Sequence, residues 1–558
     1  MHKRIFTTLA FALAIFLLGS ASAGSNGDSP QEGQDWIITQ DTHVWDEEVN
    51  VKDIVVTFGK TLKLENVDLT SQGYIDISGN TQWINSTIYH EQSTSGDNIS
   101  VYSSLTIKNS DLTLKTILDN EEETSNKIFL AESSTLVITD FDKDAATTDD
   151  RSSIQSDVSH IDNSTEKFNY TIDIIGSISD KVTIDNSDFV YVNLIECNGE
   201  GSYVRNSTFS LFAGVTTDSD NFIFENNTLS ASYKWWDFSI WGDNGRVYNN
   251  TLINGTGGIA LNGQSNNILA NTFFNYIFDP DESPNSYSKR GEAVLTLSNG
   301  SSNNTISDNF FHNLSSIHSI KVKSADDNLF TNNRFINSGG YWHTILVASG
   351  HRNNFNNNTF EDCDMNYNDT YWHQTCLHFT YFSWPTDYYG GEHLIENNTF
   401  NGYRSGIRFN SFQNNNTVRN NIFDLGFHAV GLWAWPQGGI APSGINITNN
   451  SINNTSFPIS LDYFYSNWPG EDNIISLNRI TNTDQKAITV WSTYKNFTIE
   501  NNYIENATLG IWIYDNLYGD LENGVVRNNT LIDVKYNGIS AYTPYGATFS
   551  LGRIEVTN

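Results

Sequence analysis

The stretch Leu394-Ile395-Glu396-Asn397-Asn398-Thr399-Phe400 is followed 23 residues later by Thr417-Val418-Arg419-Asn420-Asn421-Ile422-Phe423, the same phrase in other words. With the second Asn, or its equivalent, as marker, the phrase recurs at Asn227, Asn250, Asn271, Asn309, Asn333, Asn358, Asn398, Asn421, Asn450, Asn478, Asn502 and Asn529. Three residues before every marker stands an apolar side chain, from Phe224 and Val247 through Ile395 and Val418 to Val526. Two residues after it stands another, from Leu229 and Leu252 through Phe400 and Phe423 to Leu531. A third apolar element follows, as in Gly406-Ile407-Arg408-Phe409 and Gly510-Ile511-Trp512-Ile513, with the alternation of a strand. Three short strands in a repeat too brief for a helix describe one coil of a parallel solenoid.

The Asn pair has a physical reason. Asn tolerates the left-handed backbone of a sharp corner, and Asn side chains on stacked corners can hydrogen-bond from coil to coil. Fainter versions lie upstream at Asn66-Val67-Asp68-Leu69, Asn85-Ser86-Thr87-Ile88, Asn109-Ser110-Asp111-Leu112, Asn186-Ser187-Asp188-Phe189 and Asn206-Ser207-Thr208-Phe209. The expected fold is therefore all-β: a single-stranded right-handed parallel β-helix with three short strands per coil. Coils with weak repeats are expected over 36–220, and about twelve regular coils over 221–558, interrupted by insertions at 274–292 and 361–393. On these residues the chain resembles the right-handed parallel β-helix repeat proteins, including pectate-lyase-like and NosD-like members. That resemblance implies the fold over most of the chain and leaves function open, because the repeat serves lyases, hydrolases, adhesins and accessory proteins alike.

The N-terminus reads as a secretory leader over 1–23, with Lys3 and Arg4, an apolar run from Ile5 to Leu18 and Ala21-Ser22-Ala23 before the cleavage point. Residues 24–35 read as a flexible lead-in, and no second apolar run offers a transmembrane anchor. A secreted or cell-surface protein is expected. The formal charge of −34, from 64 acidic and 30 basic residues, argues against nucleic acid and anionic membranes as partners and permits divalent cations such as Ca²⁺. Three cysteines make no disulfide framework, although Cys363 and Cys376 could bridge, leaving Cys197 over. The chain closes on Gly552-Arg553-Ile554-Glu555-Val556-Thr557-Asn558, which reads as the start of a thirteenth coil reaching its corner at Asn558 without a cap, an end expected either to continue in a longer protein or to dock on a neighbour or an envelope layer.

Residues alternating with the inward positions of the third strand should form outward columns. One runs Lys321, Leu346, His378, Arg408, Gly431, Ser460, Thr489, Trp512 and Ser540; the other runs Lys323, Ala348, Thr380, Asn410, Trp433, Asp462, Trp491, Tyr514 and Tyr542. Trp433, Trp491, Trp512, Tyr514 and Tyr542 offer flat apolar faces with polar tips, suited to stacking on sugar rings, unless they pack on one another. The insertion around Tyr371, Trp372, His373 and Cys376 should lie over the same face.

The leading expectation is a non-catalytic protein that recognises polysaccharide or joins an envelope layer. The alternative is a lyase on acidic glycans, in which His378, Arg408 and Lys323 supply a base and charge neutralisers. Hydrolysis needs two carboxylates about 5 to 9.5 Å apart, and only Asp462 lies on the strand face. A metal-accessory role is what NosD-like resemblance would imply, with His373, Cys376 and His378 as its only hint; no metal-ligand set is assigned. Asp140-Phe141-Asp142-Lys143-Asp144 opens like a calcium loop but continues with Ala145 where Gly is needed. Sequons are frequent, as at Asn254, Asn446 and Asn506, but many arise from the Asn-Asn-Thr corner itself.

Overall fold

The computed structural model describes residues 23–556 apart from segments 93–98, 117–125, 132, 141–150, 158–171, 212–213, 231–237, 256–257, 277–292, 299, 315–317, 339–342, 363–374, 381–389, 403–404, 435–440, 464–469, 492–493, 515–521, 543–547 and 552–554. The leader expected over 1–23 therefore lies outside the described residues but for Ala23, as does most of both expected insertions. The chain divides into two compact units, Met1–Phe209 and Ser210–Asn558. Each is built from coils of three parallel strands.

In Ser210–Asn558 one coil places strands at Leu394–Glu396, Thr399–Gly402 and Ser405–Phe409, and the next at Thr417–Arg419, Ile422–Leu425 and His428–Ala434. They pair in parallel with Ile395 opposite Val418, Phe400 opposite Phe423 and Ile407 opposite Val430. The apolar positions on either side of every marker Asn are buried, as the period requires. Inside the coils Phe273, Phe311, Phe335, Phe360, Phe400 and Phe423 form one continuous stack with ring centroids 4.7–4.8 Å apart, the spacing of adjacent strands. The insertion expected over 361–393 is interrupted by regular structure, since Thr375–Thr380 is a third strand and Gly390–Gly391 a short pairing strand.

The two Asn of each corner divide the labour. The first takes the left-handed backbone, as at Asn226, Asn249, Asn332, Asn357, Asn397, Asn420, Asn449, Asn501 and Asn528. The second is buried and makes the ladder. The Asn398 carboxamide oxygen accepts from the Asn358 N–H at 2.8 Å and the Asn358 Nδ2 at 3.0 Å. Its own Nδ2 donates to the Phe355 carbonyl at 2.8 Å and to Asn421 Oδ1 at 3.0 Å. A second ladder, five residues before the marker, runs through Asn266, Asn304, Asn328 and Asn353, passes through His393 and continues to Asn416.

In Met1–Phe209 the same corner is built from Ser. Ser86 Oγ accepts from the Val67 N–H, Ser110 Oγ from the Ser86 N–H and Ser207 Oγ from the Ser187 N–H, at 3.1–3.2 Å. Parallel pairing begins at Trp36–Ile38 against Ile54–Val56, so coils are already formed where the sequence repeat is faint.

Two expectations are corrected. Residues 24–35 are not a loose lead-in: Gly24–Asn26 pairs antiparallel with Thr42–Trp45, covering the edge strand, and the Asp28 carboxylate accepts from the Thr39 and Gln40 N–H groups. Glu555–Val556 is not the first strand of a thirteenth coil but pairs with Thr530–Val534, the second strand of the coil before it. Thr548–Leu551 pairs with Leu551 opposite Val526, and Glu555–Val556 pairs with Val556 opposite Leu531.

Candidate functional site

Both outward columns of the third strand take their places in the backbone. Lys321 pairs with Leu346, Leu346 with His378, His378 with Arg408, Arg408 with Gly431 and so on through Ser460, Thr489 and Trp512 to Ser540. In the second column Trp433 pairs with Asp462, Trp491 with Tyr514 and Tyr514 with Tyr542. The side chains of Trp433 and Asp462 lie outside the described residues, as do Tyr371, Trp372 and His373.

Instead of a solvated strand face, the first part of the column is buried: Lys321, His378 and Arg408 are exposed by only 4, 8 and 5%. Lys323 is half-buried. His378 Nδ1 lies 2.5 Å from His343 Nε2, and His343 Nδ1 lies 2.9 Å from Thr375 Oγ1, so a hydrogen-bonded chain Thr375–His343–His378 crosses neighbouring coils. His318 stacks on His343 with centroids 5.7 Å apart and meets the His343 carbonyl through Nδ1 at 3.3 Å. Arg408 Nε donates to Asn410 Oδ1 at 3.2 Å.

Burial dominates the electrostatics here. It pushes the Arg408 guanidinium down to about 9, still a cation at neutral pH. His428 is pushed down to about 3 by burial and then by Arg408, and His318 to about 3 by burial and then by Lys321. His318 near Lys321 and His428 near Arg408 are thus neutral imidazoles at neutral pH.

The sequence reading missed His318, His343, Thr375 and His428. His343 stands two residues before the inward Ile345, where strict alternation assigns it to the core. Small residues intervene at the equivalent of Thr344: Gly406, whose added Cβ would fall 2.9 Å from the Phe423 ring, and the buried Ala429. These turn inward, and the residue before them is free to face the His378 side. A recurrent His or Thr just before a small residue was the available signal.

The aromatic end is built differently. Trp512 stacks on Tyr514 at 4.9 Å and 11°, and Tyr514 on Tyr542 at 5.4 Å and 13°. Trp491 meets Trp512 and Tyr514 edge-on, and the Lys486 ammonium lies 3.3 Å from the centre of the Trp512 ring. The rings therefore pack on one another. Trp491, Trp512 and Tyr514 remain half-buried and Tyr542 is 55% exposed.

Cys376 is disulfide-bonded and Cys197 is a buried free thiol, while Cys363 lies outside the described residues. Among the described residues no three His, Cys, Asp or Glu side chains converge as metal ligands, and no helix is long and apolar enough to cross a membrane.

The family described as the right handed beta helix region matches residues 238–423 and 388–551, together more than half of the chain. The chain belongs to that family. No curated protein matches this β-helix in sequence. Solved structures similar to it include the catalytic domain of a GH87 alpha-1,3-glucanase in complex with nigerose, at TM-score 0.43 and 12% identity over 64% of this chain and 64% of that one. The β-helix thus spans about 64% of the glucanase domain's length. PfbA, a surface adhesin of Streptococcus pneumoniae, matches at TM-score 0.41 and 14% identity over 65% and 85% of the two chains. The alginate lyase AlyF-OU02 matches at TM-score 0.38 and 15% identity over 67% and 78%. Likenesses this distant speak of fold alone.

Proposed function

We propose that this β-helix is an extracellular, non-catalytic protein that recognises polysaccharide along the outward face of its third strands. The observation that carries the reading is the column Trp491, Tyr514 and Tyr542, three aromatic residues in register on successive coils and open to solvent at Tyr542. Aromatic rings with polar tips suit the alternating apolar and hydroxyl faces of sugars, and a rigid strand ladder holds them without loop entropy. The leader over 1–23 supports export.

A second reading rests on a separate observation. The chain Thr375–His343–His378 orients an imidazole one coil from a buried cation, Arg408, which is the arrangement of a base held by a partner beside a group that can neutralise a carboxylate. A lyase on acidic glycans would use it so, with Lys323 and Asp462 at its margins.

Affinity electrophoresis of the purified protein in gels containing different polysaccharides, with absorbance of unsaturated products followed in parallel, separates the two. Retardation without product, weakened about five- to tenfold by either Trp491→Ala or Tyr542→Ala, is the expected result. Product formation abolished by Arg408→Ala and by His378→Ala would establish the lyase reading instead. No retardation by any glycan rules out recognition.

A further inference from the structure

We infer that the glycan recognised by the Trp491–Tyr514–Tyr542 column is an uncharged polysaccharide; this deepens the recognition reading above and rests on it. Among the described residues, the uncharged polar groups that accompany the rings are hydroxyls. Tyr514 and Tyr542 contribute phenols, Ser540 is half-buried beside them, and Thr489 lies in the floor one coil before Trp512. Hydroxyls and ring faces match a neutral sugar, whereas a uronate or sulfate calls for cations aimed outward.

Among the described residues, the lysines near the column lie over aromatic rings, Lys486 half-buried and Lys535 exposed. The Lys486 ammonium lies on the Trp512 ring, with Trp491 also within 5.6 Å, and Lys535 lies over Tyr536 at 5.2 Å. Arg408 is buried and separated from Trp512 by Gly431, Ser460 and Thr489, four strand spacings or roughly 19 Å along the ladder. Asp484 and Asp533 are exposed on the neighbouring segments. Around the site stands a chain with formal charge −34, whose field repels a polyanion before it reaches the rings, and does so most strongly at low salt.

The experiment compares a neutral glucan and a neutral galactomannan with alginate and polygalacturonate, in the same affinity gels, at low and at high salt, for the intact protein, for Tyr542→Ala and for Trp491→Ala. The expected result is binding of a neutral glycan at least about tenfold tighter than of either acidic one at low salt, little changed by added salt and weakened by Tyr542→Ala. Tighter binding of an acidic glycan at low salt, relaxed by added salt, overturns the inference and leaves polysaccharide recognition standing. Neutral binding untouched by both Tyr542→Ala and Trp491→Ala overturns the assignment to this column. Failure of every glycan to bind overturns the recognition reading itself.

Discussion

The corner of the coil is solved twice in this molecule, with Ser in Met1–Phe209 and with Asn in Ser210–Asn558. Ser110 accepts one hydrogen bond from the Ser86 N–H of the preceding coil and returns its own proton to Lys108 O, two residues back on its own strand. Asn398 accepts two bonds from Asn358 and donates both to Phe355 O, on the preceding coil, and to Asn421, on the following one. A hydroxyl links two coils, while an amide with separate donor and acceptor ends links three. The difference explains why the period is plain in one unit and faint in the other. Few side chains can replace the amide, whereas the hydroxyl's simpler task leaves its surroundings freer to drift.

Acid should separate the units most. His318, His393 and His428, all in Ser210–Asn558, are held down to about 3 chiefly by burial, against about 6.5 in an unfolded chain. Above that value both states are neutral and pH has no effect through these groups. Below it the unfolded chain takes up protons that the folded chain refuses, so stability is lost as pH falls from about 6.5 towards 3, with a slope approaching 1.4 kcal/mol per pH unit for each group. His393 is the sharpest case, because its Nδ1 accepts from the Asn353 N–H and a proton placed there would set donor against donor. Urea midpoints measured from pH 7 to pH 4 should fall more steeply for the natural protein than for a variant with all three changed to Asn. Parallel curves would show that carboxylates alone govern the acid limb.

Single truncations come next in size. Asn398→Ala strands the Asn358 N–H and the Phe355 carbonyl inside the corner and should cost about 4 kcal/mol. Ser110→Ala strands only the Ser86 N–H and should cost about 1.5 kcal/mol. Both are measured by denaturant unfolding, with hydrogen exchange assigning the loss to its own unit. Equal costs would mean that the amide's extra bonds add nothing, and the contrast between the two corners would reduce to composition.

How far sequence reveals this molecule follows the same contrast. Inward Phe423 and outward Arg408 were both placed by period, because burial and strand alternation leave a mark at fixed offsets. The ladder through Asn266, Asn304, Asn328 and Asn353 recurs just as regularly, five residues before the marker, but His393 and Ile445 break it and hide it. The burial of His378 was not legible at all, because alternation tells which way a side chain points and not what covers it. Likewise the stacking of Trp512 on Tyr514 depends on rotamers, which a column of letters does not contain.

The smallest effect lies at the corner that departs from its own rule. Leu477 stands where its neighbours have Asn, with φ of 57° and 57% of its surface exposed. A left-handed backbone costs a branched residue about 1–2 kcal/mol, and so exposed a side chain recovers little of that through burial. Leu477→Asn keeps the backbone as it is, since Asn501 and Asn449 adopt φ of 56° and 54° on the adjoining coils. It can also rejoin the row in which the Asn449 amide already donates to Asn420. A gain of about 1 kcal/mol is expected, read as a higher urea midpoint with an unchanged slope. No gain would mean that Leu477 finds apolar cover in solution, and that this corner is held from outside and not by the coil beneath.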